Sequence, residues 1–489
     1  MRNFYAGNPE AMAKLEGIIS DRDNFDGDIE AYWKKYKHTS LANPDLKHLT
    51  SVQIDCLQDH QPDVYKLLCR MGCYRYQAVP TIPHEGLICL MWDVLESQHN
   101  AIVERLKKYS LIKLTKGEYY LHPATREEAV SRLKDECGKW TEEGKEANRK
   151  AAEFWTNNIE TIITTRDGLR AFEAYNHYIA IKEYELASNM IIKRRGNYWQ
   201  HDESLGNVFY RLGLLESIKS AINAVINHIP SGYGLSRIHN ILGDVYWLMG
   251  DIPRAICSHE RSKQIATEFD LKELEAVAFF NIGLCQIDLW EIQSAVANFE
   301  KCIQLTKDTI YRYYTIESYC YLSFSNSVLG FKEKSIDFVG KVFQELDLTK
   351  NSAWATGYRW LSLGRTYINL LDLEKLFEMY RNALSYSEES HYLQVKANSL
   401  IGLAMIKRMQ NDWEQAISYH CESIGIFKHM GARCDLAEAY FQLGLTYQAM
   451  GEHNQAKEYK AKALELFKQM EAPKQCDRVN KAFEQGAIK

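Results

Sequence analysis

Leu242-Gly243-x-x-Tyr246-x-x-x-Gly250-Asp251-x-x-x-Ala255 and Leu443-Gly444-x-x-Tyr447-x-x-x-Gly451-Glu452-x-x-x-Ala456 share one residue pattern at one spacing. Between them lie Ile282-Gly283 with Ala295, Leu322-Ser323 with Gly330 and Ser335, Leu363-Gly364 with Tyr367, and Leu403-Ala404 with Asn411 and Ala416. The small residue stands at 243, 283, 323, 364, 404 and 444, in steps of 40, 40, 41, 40 and 40. A fixed period of this size marks a stack of identical supersecondary units. Each unit is expected to be a pair of helices, A and B. The small residue lets A approach B, a glycine closes A in a left-handed conformation, and an alanine opens B. Weaker copies extend the array toward the N-terminus: Leu205-Gly206-x-x-Phe209-x-x-x-Gly213, and Ala174-Tyr175-x-x-Tyr178 with Ala187. The count is about seven or eight units between about residues 150 and 470. Ala472-Pro473-Lys474 through Lys489 reads as a polar closing helix, which covers the last apolar face of a solenoid.

The combination of Leu-Gly, Tyr, Gly and Ala resembles the tetratricopeptide repeat (TPR), stretched by about six residues over its usual 34. The resemblance implies a right-handed superhelix with helices A along its inner groove. Counted from the small residue, the inward positions are six and three before it and one, four and five after it. For the unit at 243 these are Arg237, Asn240, Asp244, Trp247 and Leu248. The unit at 283 gives Val277, Phe280, Leu284, Ile287 and Asp288. The unit at 364 gives Tyr358, Leu361, Arg365, Ile368 and Asn369, and the unit at 404 gives Asn398, Ile401, Met405, Arg408 and Met409. Asn pairs with a peptide backbone as donor and acceptor, and Arg holds a carboxylate through two bonds. Arg237, Asn240, Asp244, Trp247, Arg365, Asn369, Asn398 and Arg408 are therefore the candidate residues for binding a peptide or protein partner.

The first 135 residues do not repeat. Thr50–Gln58, Pro62–Met71, His84–Trp92 and Glu96–Tyr109 read as helices; the last places Ile102, Val103, Leu106 and Tyr109 on one face. Leu111–Leu114, the turn Thr115-Lys116-Gly117-Glu118, and Tyr119–His122 read as a hairpin, and Pro123–Leu133 as a helix. This is the outline of a winged helix. It resembles the ARC and winged-helix part of bacterial NB-ARC signalling ATPases of the STAND class. Tyr5-Ala6-Gly7-Asn8-Pro9-Glu10-Ala11-Met12 is similar to the Gly-x-Pro segment of that family. Tyr120-Leu121-His122-Pro123-Ala124-Thr125-Arg126 holds the place of its Met-His-Asp segment, with Pro123 replacing the Asp. The resemblance implies that Pro9 lies by the adenine of ADP and that His122 contacts the diphosphate. It also places a P-loop domain ahead of residue 4, yet G-x-x-x-x-G-K-[ST] occurs nowhere in these 489 residues. Gly138-Lys139, Gly144-Lys145 and Gly340-Lys341 are followed by Trp, Glu and Val. ADP sensing would thus need a P-loop NTPase subunit in trans, and the chain would correspond to the C-terminal half of such an ATPase.

The expected fold is all-α with a minor β wing: an ARC-like helical segment (1–48), a winged-helix-like domain (49–135), a TPR array (136–470) and a capping helix (471–489). Composition limits the function. Lys and Arg number 59 against 64 Asp and Glu, a net charge of −5 without a basic tail, which argues against nucleic acid as partner. On Glu96–Tyr109, Arg105, Lys107 and Lys108 are offset by Glu96 and Glu104. No run of about 20 apolar residues suggests a membrane span, and Met1–Glu10 lacks a signal-peptide core. Twelve cysteines without ligand spacing read as buried thiols of a reducing cytoplasm, not as a metal site. Ile191-Ile192-Lys193-Arg194-Arg195 reads as a helix end. No nucleophile, base and acid can be assembled, so no enzyme and no cofactor are expected. The expectation is a non-catalytic regulatory or scaffold protein that binds a peptide or protein in its groove. The alternatives are the regulatory half of a split STAND ATPase and a winged-helix transcription regulator.

Overall fold

The computed structural model describes residues 9–20, 26–42, 46–197, 202–345 and 353–486. The chain forms two compact units. The first is Met1–Glu160 with Thr164–Met190, and the second is Thr161–Ile163 with Ile191–Lys489.

The first unit contains α1 (Pro9–Ile19), α2 (Ile29–Ala42), α3 (Leu46–His60), α4 (Pro62–Met71), α5 (His84–Ile88), α6 (Glu96–Lys108), β1 (Ile112–Thr115), β2 (Glu118–Leu121), α7 (Pro123–Arg132), α8 (Glu142–Asn158) and α9 (Thr165–Ala180). Helix α10 (Tyr184–Ile192) follows and runs to the boundary between the units. β1 and β2 pair antiparallel with Thr115 opposite Glu118. Lys116 and Gly117, at φ 53° and 81°, make the two-residue turn that matches strand twist. Ile82 adds a bridge to Tyr119 on the far edge of β2. The core gathers around Trp155, Tyr74, Leu67 and Leu106, all nearly inaccessible.

Three expectations are corrected here. The helix expected over His84–Trp92 stops at Ile88. Arg70 captures the chain beyond it: its guanidinium donates to the Leu90 carbonyl (2.8 Å) and to Asp93 (2.6 Å) and lies 3.7 Å from the centre of the Trp92 ring. Helices α8 to α10, which the repeat spacing assigns to the array, belong almost wholly to the first unit. The basic run does not simply end a helix. α10 stops at Ile192, and Arg194–Gly196 continue as β3, paired antiparallel with β4 (Asp202–Ser204).

The second unit holds seven helix pairs. They are α11 (Leu205–Arg211) with α12 (Leu215–Val225), α13 (Tyr233–Leu248) with α14 (Ile252–Glu268), α15 (Lys272–Asp288) with α16 (Ile292–Thr306), and α17 (Tyr313–Val328) with α18 (Lys332–Glu345). Then come α19 (Ala353–Leu370) with α20 (Leu373–Ser390), α21 (Leu393–Met409) with α22 (Trp413–Met430), α23 (Arg433–Met450) with α24 (His453–Gln469), and the closing helix α25 (Pro473–Gly486).

Local chemistry sets each pair. The residue ending every A helix is left-handed: Gly213, Gly250, Trp290, Gly330, Leu371, Asn411 and Gly451 all have φ between 59° and 83°. In three pairs the next residue is an aspartate whose side chain caps the B helix: Asp251, Asp372 and Asp412 accept from the amides of Arg254, Lys375 and Gln415. Sixteen residues after the small residue, a ring of helix B lies against it. A methyl on Gly283 would stand 2.7 Å from the Phe299 ring; Gly243 faces His259 and Gly364 faces Tyr380 in the same way.

The pairs wind tightly enough for successive turns to touch. Arg211 on α11 donates to the Ser390 carbonyl at the end of α20 (2.8 Å). The turn at Gly250 backs onto Arg433 and Cys434 at the start of α23. Gln475 on α25 donates to the Asp288 carbonyl (2.8 Å), and the Arg478 guanidinium lies 4.4 Å from the Trp290 ring centre. These contacts narrow the concave side. All twelve cysteines are free thiols; seven are buried, but Cys137, Cys257 and Cys421 are exposed, against the expectation that they are core residues.

Two substitutions test the repeat geometry by urea unfolding. Gly283→Ala should destabilise by about 1–3 kcal/mol, because Phe299 is fixed in a packed core and must move. Leu371→Gly should stabilise by about 1 kcal/mol, because it relieves a left-handed leucine whose side chain is 75% exposed and packs little.

Candidate functional site

Two cavities open inside the second unit. The first has a volume of about 480 Å³ and is walled by β4, α11, α13, α15 and the start of α17. All five inward positions of the unit at 243 line it: Arg237, Asn240, Asp244, Trp247 and Leu248. Val277, Phe280 and Leu284 join them from the unit at 283. The second cavity, about 140 Å³, lies between α15, α19, α21, α23 and α25. Arg365, Ile368 and Asn369 of the unit at 364 line it, with Asn398, Ile401 and Met405 of the unit at 404.

The candidate residues thus separate. Arg237, Asn240, Asp244 and Trp247 meet in the first cavity, and Arg365, Asn369 and Asn398 in the second. Arg408 lines neither: its guanidinium donates to the Gln442 carbonyl (3.0 Å) and to Gln442 Oε1 (3.1 Å), tying α21 to α23, and burial lowers its pKa to about 10.

In the first cavity Asp244 is the electrostatic centre. Asn281 Nδ2 donates to its Oδ1 (2.8 Å), and Asn240 Nδ2 (3.5 Å) and the Tyr210 hydroxyl (3.3 Å) donate to its Oδ2. Burial raises its pKa to about 7, against the opposing pull of Arg237 and the Tyr210 bond. His259 Nε2 stands 3.7 Å from Asp244 Oδ1, but burial lowers the imidazole pKa to about 3, so the contact is not an ion pair near neutral pH. Trp247 bridges the cavities: its indole N–H donates to Asp288 Oδ2 (2.5 Å). Burial raises Asp288 to about 6, while Arg365 opposes the shift.

The second cavity is built for internal pairing. Asn398 donates to Asp435 Oδ1 (3.0 Å), as Gln394 does to Oδ2, and Asn369 donates to Ser327 Oγ (2.9 Å). Arg478 of α25 pairs with Glu438. Arg365 donates weakly to Asn398 (3.4 Å) and carries its charge among Asp288, Asp435 and Glu438.

Several lining residues were not singled out in the sequence. Tyr210, Glu317 and Glu438 occupy inward positions of the units at 206, 323 and 444, so the same count extended to those units finds them. Asn281 sits two before the small residue, and Asp435 nine before it; neither follows the count.

In the first unit His122 is the N-cap of α7. Its Nδ1 accepts from the Ala124 amide at 3.3 Å. Pro9 is the first residue of α1, and the rest of the Gly-x-Pro motif lies outside the described residues. On α6, Lys107 pairs with Glu104 (2.7 Å) and Arg105 donates weakly to Gln61 (3.4 Å). Among the described residues no group of three His, Cys, Asp or Glu side chains could hold a metal ion, and no helix is long and apolar enough to cross a membrane.

Residues 276–309 and 437–469 match the tetratricopeptide repeat family model. These segments are the pairs α15–α16 and α23–α24. None of the curated proteins matches the sequence. Among solved structures, the chain is similar to a STAND protein (Signal Transduction ATPase with Numerous Domains) with a tetratricopeptide repeat sensor from Pyrococcus horikoshii. The identity is 15% and the TM-score 0.36, covering 98% of this chain; it spans 63% of that protein's length. The Rap conjugation gene regulator of plasmid pLS20, solved with the Phr* peptide, is 12% identical with a TM-score of 0.46 over 86% of this chain and 98% of that one. Aspartyl phosphate phosphatase F from Bacillus subtilis is 12% identical with a TM-score of 0.37, covering 89% of this chain and 92% of that one.

The pKa of Asp244 makes a signed prediction. An unfolded aspartate titrates near 3.9 and the folded one at about 7. Its ionisation therefore costs nothing below pH 4, and the penalty grows from there to pH 7. The melting temperature of Asp244→Asn relative to wild type should rise between pH 4.5 and 7 and level off above it. A difference that is flat with pH would show that Asp244 ionises freely.

Proposed function

We propose that the chain is a non-catalytic recognition protein and that the interior of its TPR superhelix binds an extended peptide or a helix of a protein partner. The observation that carries this is the first cavity. It has the volume of a ligand site, and its walls mix aromatic faces with amides and charges. Arg237 forms no hydrogen bond or ion pair among the described residues. A guanidinium held inside a fold without an ion-pair partner costs stability, and an anionic or carbonyl group of a ligand would offset that cost.

The first unit supplies a platform of helices and a hairpin, which we interpret as a winged-helix-like module for a regulatory or scaffold role. ADP sensing through Pro9 and His122 is the weaker candidate, since His122 Nδ1 is engaged in capping α7. DNA recognition is weaker again. The basic end of α6 is partly neutralised by Glu104, and the chain is acidic overall.

The test is capture from the native cell extract with wild type beside an Arg237→Ala, Arg365→Ala, Asn369→Ala triple variant. Asn369 is exposed and Arg237 forms no ion pair among the described residues, but Arg365 offsets Asp288, Asp435 and Glu438. The melting temperature is therefore measured first, and an Arg237→Ala, Asn369→Ala double variant replaces the triple if the triple falls by more than a few degrees. A specific partner, identified by mass spectrometry, should be retained at least tenfold less by the variant. Equal retention would place the binding surface outside the interior.

A further inference from the structure

Among the B helices α18 is packed differently from its neighbours. α14, α16, α20 and α22 each lie against their own A helix and against the A helix of the next pair. α18 lies along α17 but barely meets α19, which packs on α17 instead. The side chains that would fill the missing contact stand 13 and 20 residues after the small residue. In α16 and α22 these are Val296 with Ile303 and Ile417 with Ile424, all buried or half-buried. In α18 they are Ile336 and Phe343, which are 59% and 43% exposed. Seven residues is close to two helical turns, so the two side chains form one bare apolar ridge.

Gly340 stands between them. It is exposed, and a methyl built on it would meet nothing within 4 Å among the described residues. The same place in the other B helices from α14 onward holds Glu260, Glu300, Arg381, Cys421 and Ala461. Glycine inside a helix costs stability relative to alanine, and no contact among the described residues offsets that cost here. A residue without a side chain, set between two large apolar groups on an open face, lets a second helix axis come close.

The polar flank of the ridge identifies that second helix. Along it run Glu333, Asp337 and Lys341, acidic toward the start of α18 and basic toward its end. Asp337 and Lys341 pair with each other at 2.6 Å, and both side chains remain largely open to solvent. When two copies of one helix pack antiparallel about a two-fold axis, the same patch meets itself in reverse. With the axis between Val339 and Gly340, Ile336 comes opposite Phe343 of the other copy, and the two glycines lie at the crossing. Asp337 of each copy then falls beside Lys341 of the other, so opposite charges meet along the flank.

We propose that α18 is a self-association surface, on which a second copy of this chain docks its own α18 antiparallel, with Gly340 at the crossing. The surface is separate from the interior cavities and leaves them open to a partner.

The experiment is sedimentation velocity on the full chain over a dilution series. Wild type should sediment as a dimer that dissociates on dilution. Gly340→Leu and Phe343→Glu should each weaken the dimer at least tenfold, while thermal melting shows that both stay folded. Asp337→Lys and Lys341→Asp should each weaken it at least tenfold when alone, because each leaves two like charges facing two like charges. Mixed in equal amounts, these two single variants should form a heterodimer about as tight as the wild-type dimer. No recovery on mixing would show that Asp337 and Lys341 act only within one helix, and would overturn the antiparallel pairing. A wild type that is monomeric at every concentration, or a dimer that survives both Gly340→Leu and Phe343→Glu, would overturn the surface itself.

Discussion

Everything in the second unit depends on how closely helix A lies on helix B, and that distance is set at one residue per pair. Gly243, Gly283 and Gly364 have no side chain because the His259, Phe299 and Tyr380 rings occupy the space a Cβ would need. Tyr380 is gripped twice, by Gly364 on α19 and by Gly402 on α21, so the same contact that closes one pair seats the next. A close-packed interior transmits such a distance rather than absorbing it. Small rotations between pairs then add up along the chain until Gly250 meets Arg433 and Gln475 meets Asp288. The narrowed interior and its two cavities follow from a spacing set by these small residues, glycine in most pairs and Ser323 and Ala404 in two.

The repeat was legible because backbone handedness leaves a chemical trace. A left-handed residue ends every A helix, and glycine holds that place at 213, 250, 330 and 451. At Trp290 and Leu371 the trace is missing, yet the conformation persists, because the capping and packing on both sides overdetermine it. The inward positions were legible for a similar reason: 3.6 residues per turn fixes which side chains share a face. Contacts between turns were not legible. Asp288 and Gln475 are 187 residues apart, and nothing local states how many pairs complete one turn of the superhelix. Arg408 shows the consequence. It stands at an inward position by count, but the neighbouring α23 supplies Gln442, and the side chain becomes a brace.

The N-terminal two-fifths of the chain divide along the same line. Gly117 announces the turn between β1 and β2, since glycine adopts positive φ freely, and Lys116 is held left-handed with it by the hairpin. Arg194-Arg195-Gly196 announces nothing, because charged residues and glycine are poor strand formers. Its strand exists through what pairs with it: Asp202–Ser204 on one side and the Ile162 amide, which donates to the Gly196 carbonyl at 2.9 Å. Likewise the end of α5 is decided by Arg70, a residue of another helix.

The interior also separates charges that hold the fold from charges that remain at its disposal. Arg211 with Glu203, Arg359 with Glu317 and Arg478 with Glu438 join elements distant in sequence or adjacent in the stack, and losing one member of a buried pair strands the other. Arg237 joins no partner among the described residues, and Glu317 Oε2 is buried without a donor although the same carboxylate pairs with Arg359; both residues line the first cavity. Packing alone would favour apolar residues at those positions, since a buried polar atom without a partner costs about 1–3 kcal/mol. The second cavity shows how far the same superhelix satisfies itself: Asp435 is held by Asn398 and Gln394, yet Gln475 Oε1 and Arg478 Nε of the closing helix are buried without a partner among the described residues. Incomplete pairing is thus common to both cavities, and what separates them is size: about 480 Å³ against about 140 Å³, so that of the two the larger has more room for groups other than its own.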